Sequence, residues 1–157
     1  MTFALREHTA DIAVAAAADS LGGVFGAVAD GMAAAMIDDD VPATGAQLMV
    51  SECAESREAA LYDYLTRLLY ERDVQGVLPV DNAATVDEPT GGGDWRVTAS
   101  ARGVPLDAVH ARDLKAVTYS EMQLTPPGDP TRAEAGTPPD AVREHPDDWA
   151  AYVVFDV

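Results

Sequence analysis

Two stretches of helical periodicity interrupt a chain that otherwise reads as short extended runs. From Ser20 onward, Leu21, Val24, Phe25, Val28 and Met32 recur at the spacing of one helical face. This predicts a helix over Ser20–Ile37, with Ser20 or Asp19 capping its start. Asp38-Asp39-Asp40-Val41-Pro42 ends it, because proline disfavours helix in the residue before it. Four glycines (Gly22, Gly23, Gly26, Gly31) work against this helix, each by roughly 1 kcal/mol relative to alanine in a helix interior. A second amphipathic run begins at Ser56 and places Leu61, Tyr64, Leu65, Leu68 and Leu69 on one face, predicting a helix over Ser56–Arg72.

The remaining apolar runs are strand-like: Phe3–Leu5, Ile12–Ala18, Gln47–Cys53, Val77–Ala84, Trp95–Ala101, Ala116–Leu124 and Ala150–Asp156. The tetrad His8-Thr9-Ala10-Asp11 forms a turn between the first two, and Gly91-Gly92-Gly93 another further on. Each helix has one apolar stripe that must be covered. The simplest solution is an α+β fold: a two-layer sandwich with two main helices packed on a mostly antiparallel or mixed β-sheet. A length of 157 residues suits a single domain, residues 1–157. Residues 125–148 hold six of the ten prolines and no large apolar residue before Val142, which predicts a flexible Pro-rich loop.

Charge narrows the function. There are 27 acidic residues against 10 basic ones, a formal net charge of −17. Gripping a phosphate backbone takes clustered Lys and Arg, so direct nucleic-acid binding is not expected. Nine of the ten basic residues are Arg, and Lys115 is the only Lys. Such an acidic, Ala-rich, Lys-poor composition resembles that of proteins from salt-loaded cytoplasms, pointing to a halophilic source. Most carboxylates then serve solvation, as the run Asp38–Asp40 does at a helix end. Cys53 is the sole cysteine, which excludes an internal disulfide and is expected to be a buried, inert thiol. With no basic leader and no apolar stretch of ~18 residues, a cytoplasmic protein with no membrane partner is expected.

Motifs of catalysis are missing: there is no glycine-rich phosphate loop, no H-E-x-x-H, no G-x-S-x-G and no EF-hand loop. His8, His110 and His145 lack a ligating spacing and read as turn or surface residues. Three segments stand out instead: Glu7-His8-Thr9-Ala10-Asp11, Asp113-Leu114-Lys115-Ala116-Val117-Thr118-Tyr119 and Val153-Val154-Phe155-Asp156-Val157. With Phe25–Ala29 in the first helix and LLYERD closing the second, their order and spacing resemble the archease family over nearly the whole chain. Two features depart from that pattern. Ser120 stands where relatives usually carry His after K-A-V-T-Y, and the stretch Thr125–Asp148 is longer than usual.

The resemblance implies an accessory protein, not an enzyme, that activates an RtcB-type RNA ligase in tRNA splicing and RNA repair by promoting the ligase's guanylylation and multiple turnover. It also implies a metal site at Asp11, Asp156 and Val157, the last through its main chain. Two carboxylates, a chain-terminal carboxylate and waters form a hard-oxygen set suited to Ca²⁺, with Mg²⁺ or Mn²⁺ as alternatives. The residues lend support, because Asp156 follows the apolar run Tyr152–Phe155, an odd place for a charge unless something compensates it. The plainer readings are a solvated strand end for Asp156 and a turn cap for Asp11. Lys115, retained where arginine has otherwise replaced lysine, suggests a compact ammonium steadying a phosphate or carboxylate of the ligase–nucleotide site. Its plainer reading is a surface lysine.

Two other functions compete. A metal-dependent phosphohydrolase would use Asp11 as nucleophile and Lys115 to bind phosphate, but no motif supplies the further acids and phosphate donors it needs. A chaperone-like acidic interaction module would need no metal at all.

Overall fold

The computed structural model describes residues 2–8, 11–37, 40–128 and 147–157. Seven strands and two helices follow in the order β1 (Thr2–His8), β2 (Asp11–Ala18), α1 (Leu21–Met36), β3 (Ala46–Ala54), α2 (Arg57–Gln75), β4 (Val77–Asp87), β5 (Trp95–Pro105), β6 (Ala116–Thr125) and β7 (Trp149–Asp156). Every pairing is antiparallel. The α+β expectation holds, and the strands divide between two sheets, β1-β2-β7-β6 and β3-β5-β4. Each helix bridges both sheets: α1 packs on β1, β2 and β7 of the first and β4 of the second, while α2 packs on β3, β4 and β5 of the second and β6 of the first. Their stripes share one core, where the rings of Phe25 and Tyr64 lie 6.1 Å apart.

Both helices begin where a serine hydroxyl replaces the missing helical acceptor. Ser20 Oγ accepts from Gly23 N at 2.9 Å and Ser56 Oγ from Ala59 N at 3.0 Å. The second helix runs beyond Arg72 to Gln75 and stops at Gly76, whose φ of 65° lies in the left-handed region that glycine enters freely. Its N–H donates to Arg72 O. The turn at Gly91-Gly92-Gly93 connects β4 and β5 as expected. Most of the Pro-rich stretch 125–148, with His145, lies outside the described residues, as do Thr9, Ala10, Asp38 and Asp39. Thr125 closes β6 and is buried.

The glycines of α1 have a tertiary explanation. A Cβ at Gly22 would collide with the carbonyl oxygen of Ala84, and one at Gly26 would stand 3.0 Å from that of Asn82. Glycine at this i, i+4 spacing lets the helix lie directly on the backbone of β4, and the close approach outweighs the propensity lost. Cys53 corrects the expectation of a buried thiol: in β3, Leu48, Val50 and Ala54 face inward while Cys53 belongs to the alternate, exposed set.

Strand β4 is an edge strand, which accommodates Pro79. It gains one residue against β5 between Val80 and Ala83, with Asp81 at a φ of 51°. The bulge turns Asn82 toward α1, where Asp30 Oδ1 accepts from both its backbone N and its Nδ2 at 2.9 Å. Burial raises the Asp30 carboxyl above its ordinary range, outweighing these hydrogen bonds, and Asp81 adds to the rise.

Two outcomes follow for stability. Gly22→Ala should lower it by about 1–3 kcal/mol in denaturant unfolding, since overpacking against backbone exceeds the ~1 kcal/mol gained in propensity. At Asp30 the folded state holds the proton more tightly than the unfolded chain, so stability is lost as pH rises through the raised value. Asp30→Asn keeps the acceptor without the charge, and its melting temperature relative to wild type should rise between about pH 4 and pH 7. Asp30→Ala should cost about 1–3 kcal/mol at either pH, because the Asn82 donors lose their partner.

Candidate functional site

The first sheet brings the N-terminal and C-terminal motifs together. Strands β2 and β7 pair from Asp11↔Asp156 through Ala18↔Trp149. Ile12, Val14 and Ala16 with Ala151, Val153 and Phe155 face the main core, while Ala13, Ala15 and Ala17 with Tyr152 and Val154 form a separate buried cluster on the other face. By strand alternation, Asp11 and Asp156 belong with the second set. The two residues stand directly opposite each other at the end of the ladder, where Cβ atoms are typically ~4.5–5.5 Å apart. Asp156 is exposed and Asp11 half-buried.

The neighbours of this pair continue the row. His8 is the register partner of Asp11 on β1, and Ala116 that of Asp156 on β6. Ala116 brings no competing side-chain ligand. Val157, 41% exposed, follows Asp156 directly. Among the described residues no group of three or more His, Cys, Asp or Glu side chains is placed to hold a metal ion. Among the described side chains of this row, Asp11 and Asp156 offer two opposed carboxylates, and a hard cation seeking ~6–8 oxygens would draw the others from main-chain carbonyls and water. The donor set fits Ca²⁺ chemistry in kind, being oxygen only and rich in negative charge.

Lys115 sits one residue before β6, and its backbone N–H donates to Asp156 O at 2.9 Å. Its exposed side chain lines a groove of about 250 Å³ between α2 and β6, together with Tyr62, Thr66, Tyr70 and Asp73. Lys115 therefore borders Asp156 through the main chain, while its side chain serves the α2 side of the sheet.

A residue that the sequence reading left without a role holds this segment in place. Arg72 is 6% exposed. Its Nη1 donates to Leu114 O at 3.1 Å and to Met36 Sδ at 3.3 Å, and its Nη2 lies 3.0 Å from Asp113 and 2.9 Å from Asp73. One guanidinium thus fastens the residues just before Lys115 to both helices. A signal existed in the sequence: Arg72 continues the stripe of Leu65, Leu68 and Leu69 at i+7, i+4 and i+3, and a charge on an apolar stripe requires partners. The backbone joins in, with Arg112 N donating to Met36 O at 2.6 Å. His110 is exposed, as expected, and lines a cleft of about 330 Å³ beside this clamp.

Comparison with known proteins bears on the family and on the fold. The curated archease of Thermococcus gammatolerans is 33% identical over 123 residues, covering 75% of this chain and 84% of that protein. The solution structure of protein 1598 of Methanobacterium thermoautotrophicum superposes with a TM-score of 0.68 at 25% identity, covering 99% of this chain and 98% of the other. A Thermotoga maritima crystal structure, described as an archease and possible chaperone, shares the fold with a TM-score of 0.54 at 20% identity, covering 97% and 94% of the two chains. The profile of the Archease protein family (MTH1598/TM1083) matches residues 3–157, and the chain belongs to that family.

Proposed function

We propose that this chain is a non-catalytic, metal-binding accessory protein that activates an RtcB-type RNA ligase, promoting its guanylylation and multiple turnover in tRNA splicing and RNA repair. The observation that carries the reading is the cross-strand pairing of Asp11 with Asp156, whose main-chain oxygen also accepts from the Lys115 N–H. Like charges directly opposite in a ladder repel, and a divalent cation between them turns that repulsion into attraction. Asp11 and Asp156 supply side-chain oxygens, Val157 its main-chain oxygens, and water the remainder. Ca²⁺ suits the set first, with Mg²⁺ or Mn²⁺ as smaller alternatives.

The net charge of −17 supports a protein partner that itself holds the RNA, because this surface repels a phosphate backbone. No helix among the described residues is long and apolar enough to cross a membrane, which suits the cytoplasmic setting of such a ligase. Lys115 presents the chain's only lysine ammonium, exposed and without a carboxylate partner among the described residues, to a phosphate or carboxylate of the ligase–nucleotide site.

Calorimetric titration with CaCl₂ checks the metal site. Asp11→Asn and Asp156→Asn should each weaken binding at least about tenfold, or ~1.4 kcal/mol, whereas Asp94→Asn in the glycine-rich turn should leave it unchanged. Equal effects at all three positions would mean diffuse attraction by an acidic surface.

Guanylylation of an RtcB-type ligase checks Lys115. If a compact donor is what the partner needs, Lys115→Arg should impair stimulation almost as much as Lys115→Ala, with unfolding midpoints unchanged. Full stimulation by the Arg variant would show that charge alone suffices.

A further inference from the structure

The groove that Lys115 borders at one end carries a different chemistry at the other. There Tyr119 stacks on Tyr62 with ring centroids 4.2 Å apart and planes within 7°. Tyr119 is 54% exposed, and Tyr70 and Val74 on the same helix as Tyr62 are 57% and 61% exposed. Tyr62, Thr66 and Tyr70 recur every fourth residue and line the groove against Lys115, Ala116 and Val117, ~12 Å between the two tyrosines, and Val74 follows one turn further along α2. Large apolar groups on an otherwise strongly charged surface mark a contact face.

The backbone is distorted where it holds Tyr119. Between Thr118 and Gln123, β6 advances five positions while β7 advances only two. Glu121 within that bulge has a φ of 61°, a left-handed conformation that a residue with a Cβ adopts at a cost of order 1 kcal/mol. Bulges re-aim side chains, and this one interrupts the pairing of β6 from Tyr119 to Met122.

Carboxylates surround the stack. Burial raises the Tyr119 hydroxyl above its ordinary value, and the charges of Asp63, Glu55 and Glu58 raise it further. Asp63 is raised in turn by burial and by Glu52. The neighbouring arginines are already engaged: Arg67 with Glu52 and Glu71, and Arg57 at 4.0 Å from Glu58 and over the Trp149 ring. Asp63 and Glu55 have no ion-pair partner among the described residues.

We propose that the α2–β6 groove docks a protein segment carrying an arginine, whose guanidinium lies on Tyr119 between Asp63 and Glu55 while a neighbouring apolar side chain covers Tyr70. A flat cation on an aromatic face ringed by carboxylates satisfies both features at once, and Arg does so better than Lys because it stacks. The same carboxylates repel nucleic-acid phosphates and anionic lipid headgroups, which leaves a basic protein segment as the complementary occupant. Lys115 at the far end sets the direction, favouring an acidic residue of the same segment there. This docking surface goes beyond the metal-site reading and does not depend on it.

The test titrates the full-length protein with acetyl-Ala-Leu-Arg-Leu-Ala-amide and its Lys, Gln and Glu counterparts, following backbone and tyrosine ring resonances by NMR. The Arg peptide should shift Tyr62, Tyr70 and Tyr119 selectively and bind more tightly than the Lys peptide, with the Gln and Glu peptides weakest. Tyr119→Ala should weaken the Arg peptide about threefold to fivefold, the range of a cation–π contact at an exposed site, and Tyr119→Phe should restore it. Asp63→Asn should weaken it too. Equal binding by wild type and Tyr119→Ala, shifts scattered over the acidic surface, or displacement by a short single-stranded RNA would each overturn the proposal. Asp11→Asn should leave peptide binding intact while weakening calcium binding, so failure of one reading is distinguishable from failure of the other.

Discussion

The antiparallel ladder between β2 and β7 is the constraint on which the rest of the first sheet depends. It joins Asp11–Ala18 to Trp149–Asp156, so the whole intervening chain must close around it. Loop-closure entropy grows only logarithmically with length, and a long two-sided ladder can outweigh it. Apart from Asp11, Trp149 and Asp156 at their ends, both strands are buried on both faces. Each also templates an edge strand, β1 on β2 and β6 on β7. Alanine fills the non-core positions of β2, where larger side chains would have to find space beside Tyr152 and Val154. The ladder ends on two opposed carboxylates, its least stable pairing in the absence of a counter-charge.

Placement of the other functional segment is separate and rests on Arg72. A buried guanidinium is tolerable only when its donors are occupied, and here they hold Asp73, Asp113, Leu114 O and Met36. The two carboxylates that neutralise it are themselves mostly exposed, which reduces their desolvation cost. The chain of contacts runs from α2 through Arg72 to Leu114, then through the Lys115 N–H to Asp156. Helix packing, the Lys115 segment and the end of β7 are therefore mechanically linked.

Local physics made much of this legible. Serine caps, helical stripes and alternation placed both helices and all seven strands, because those signals act within a few residues. The sheet division was not legible. Apolar strands report that a face is buried, but which strand lies beside which is set by long-range packing. The α1 glycines show the same limit, since their cost is local and their benefit arises far along the chain, at the Asn82 and Ala84 carbonyls. Asp11 and Asp156 came from motif resemblance, and no period could have paired them. Arg72 was readable as a charge on an apolar stripe. The stacked Tyr119 was not, since its position depends on a bulge in β6 that no pattern announces.

The two faces of the first sheet meet at one end, and that geometry constrains any partner. Asp11 and Asp156 project from the face away from the helices, whereas Lys115 lines the groove on the α2 side, yet a single main-chain hydrogen bond separates them. A partner touching only one broad face would reach one feature and miss the other. A partner that receives the end of the sheet in a cleft would meet both, with the proposed cation neutralising the carboxylate pair and Lys115 free to engage an anion. Such insertion asks for a rigid tip, and the Arg72 clamp behind Lys115 together with the β2–β7 ladder behind Asp156 supplies rigidity on each side.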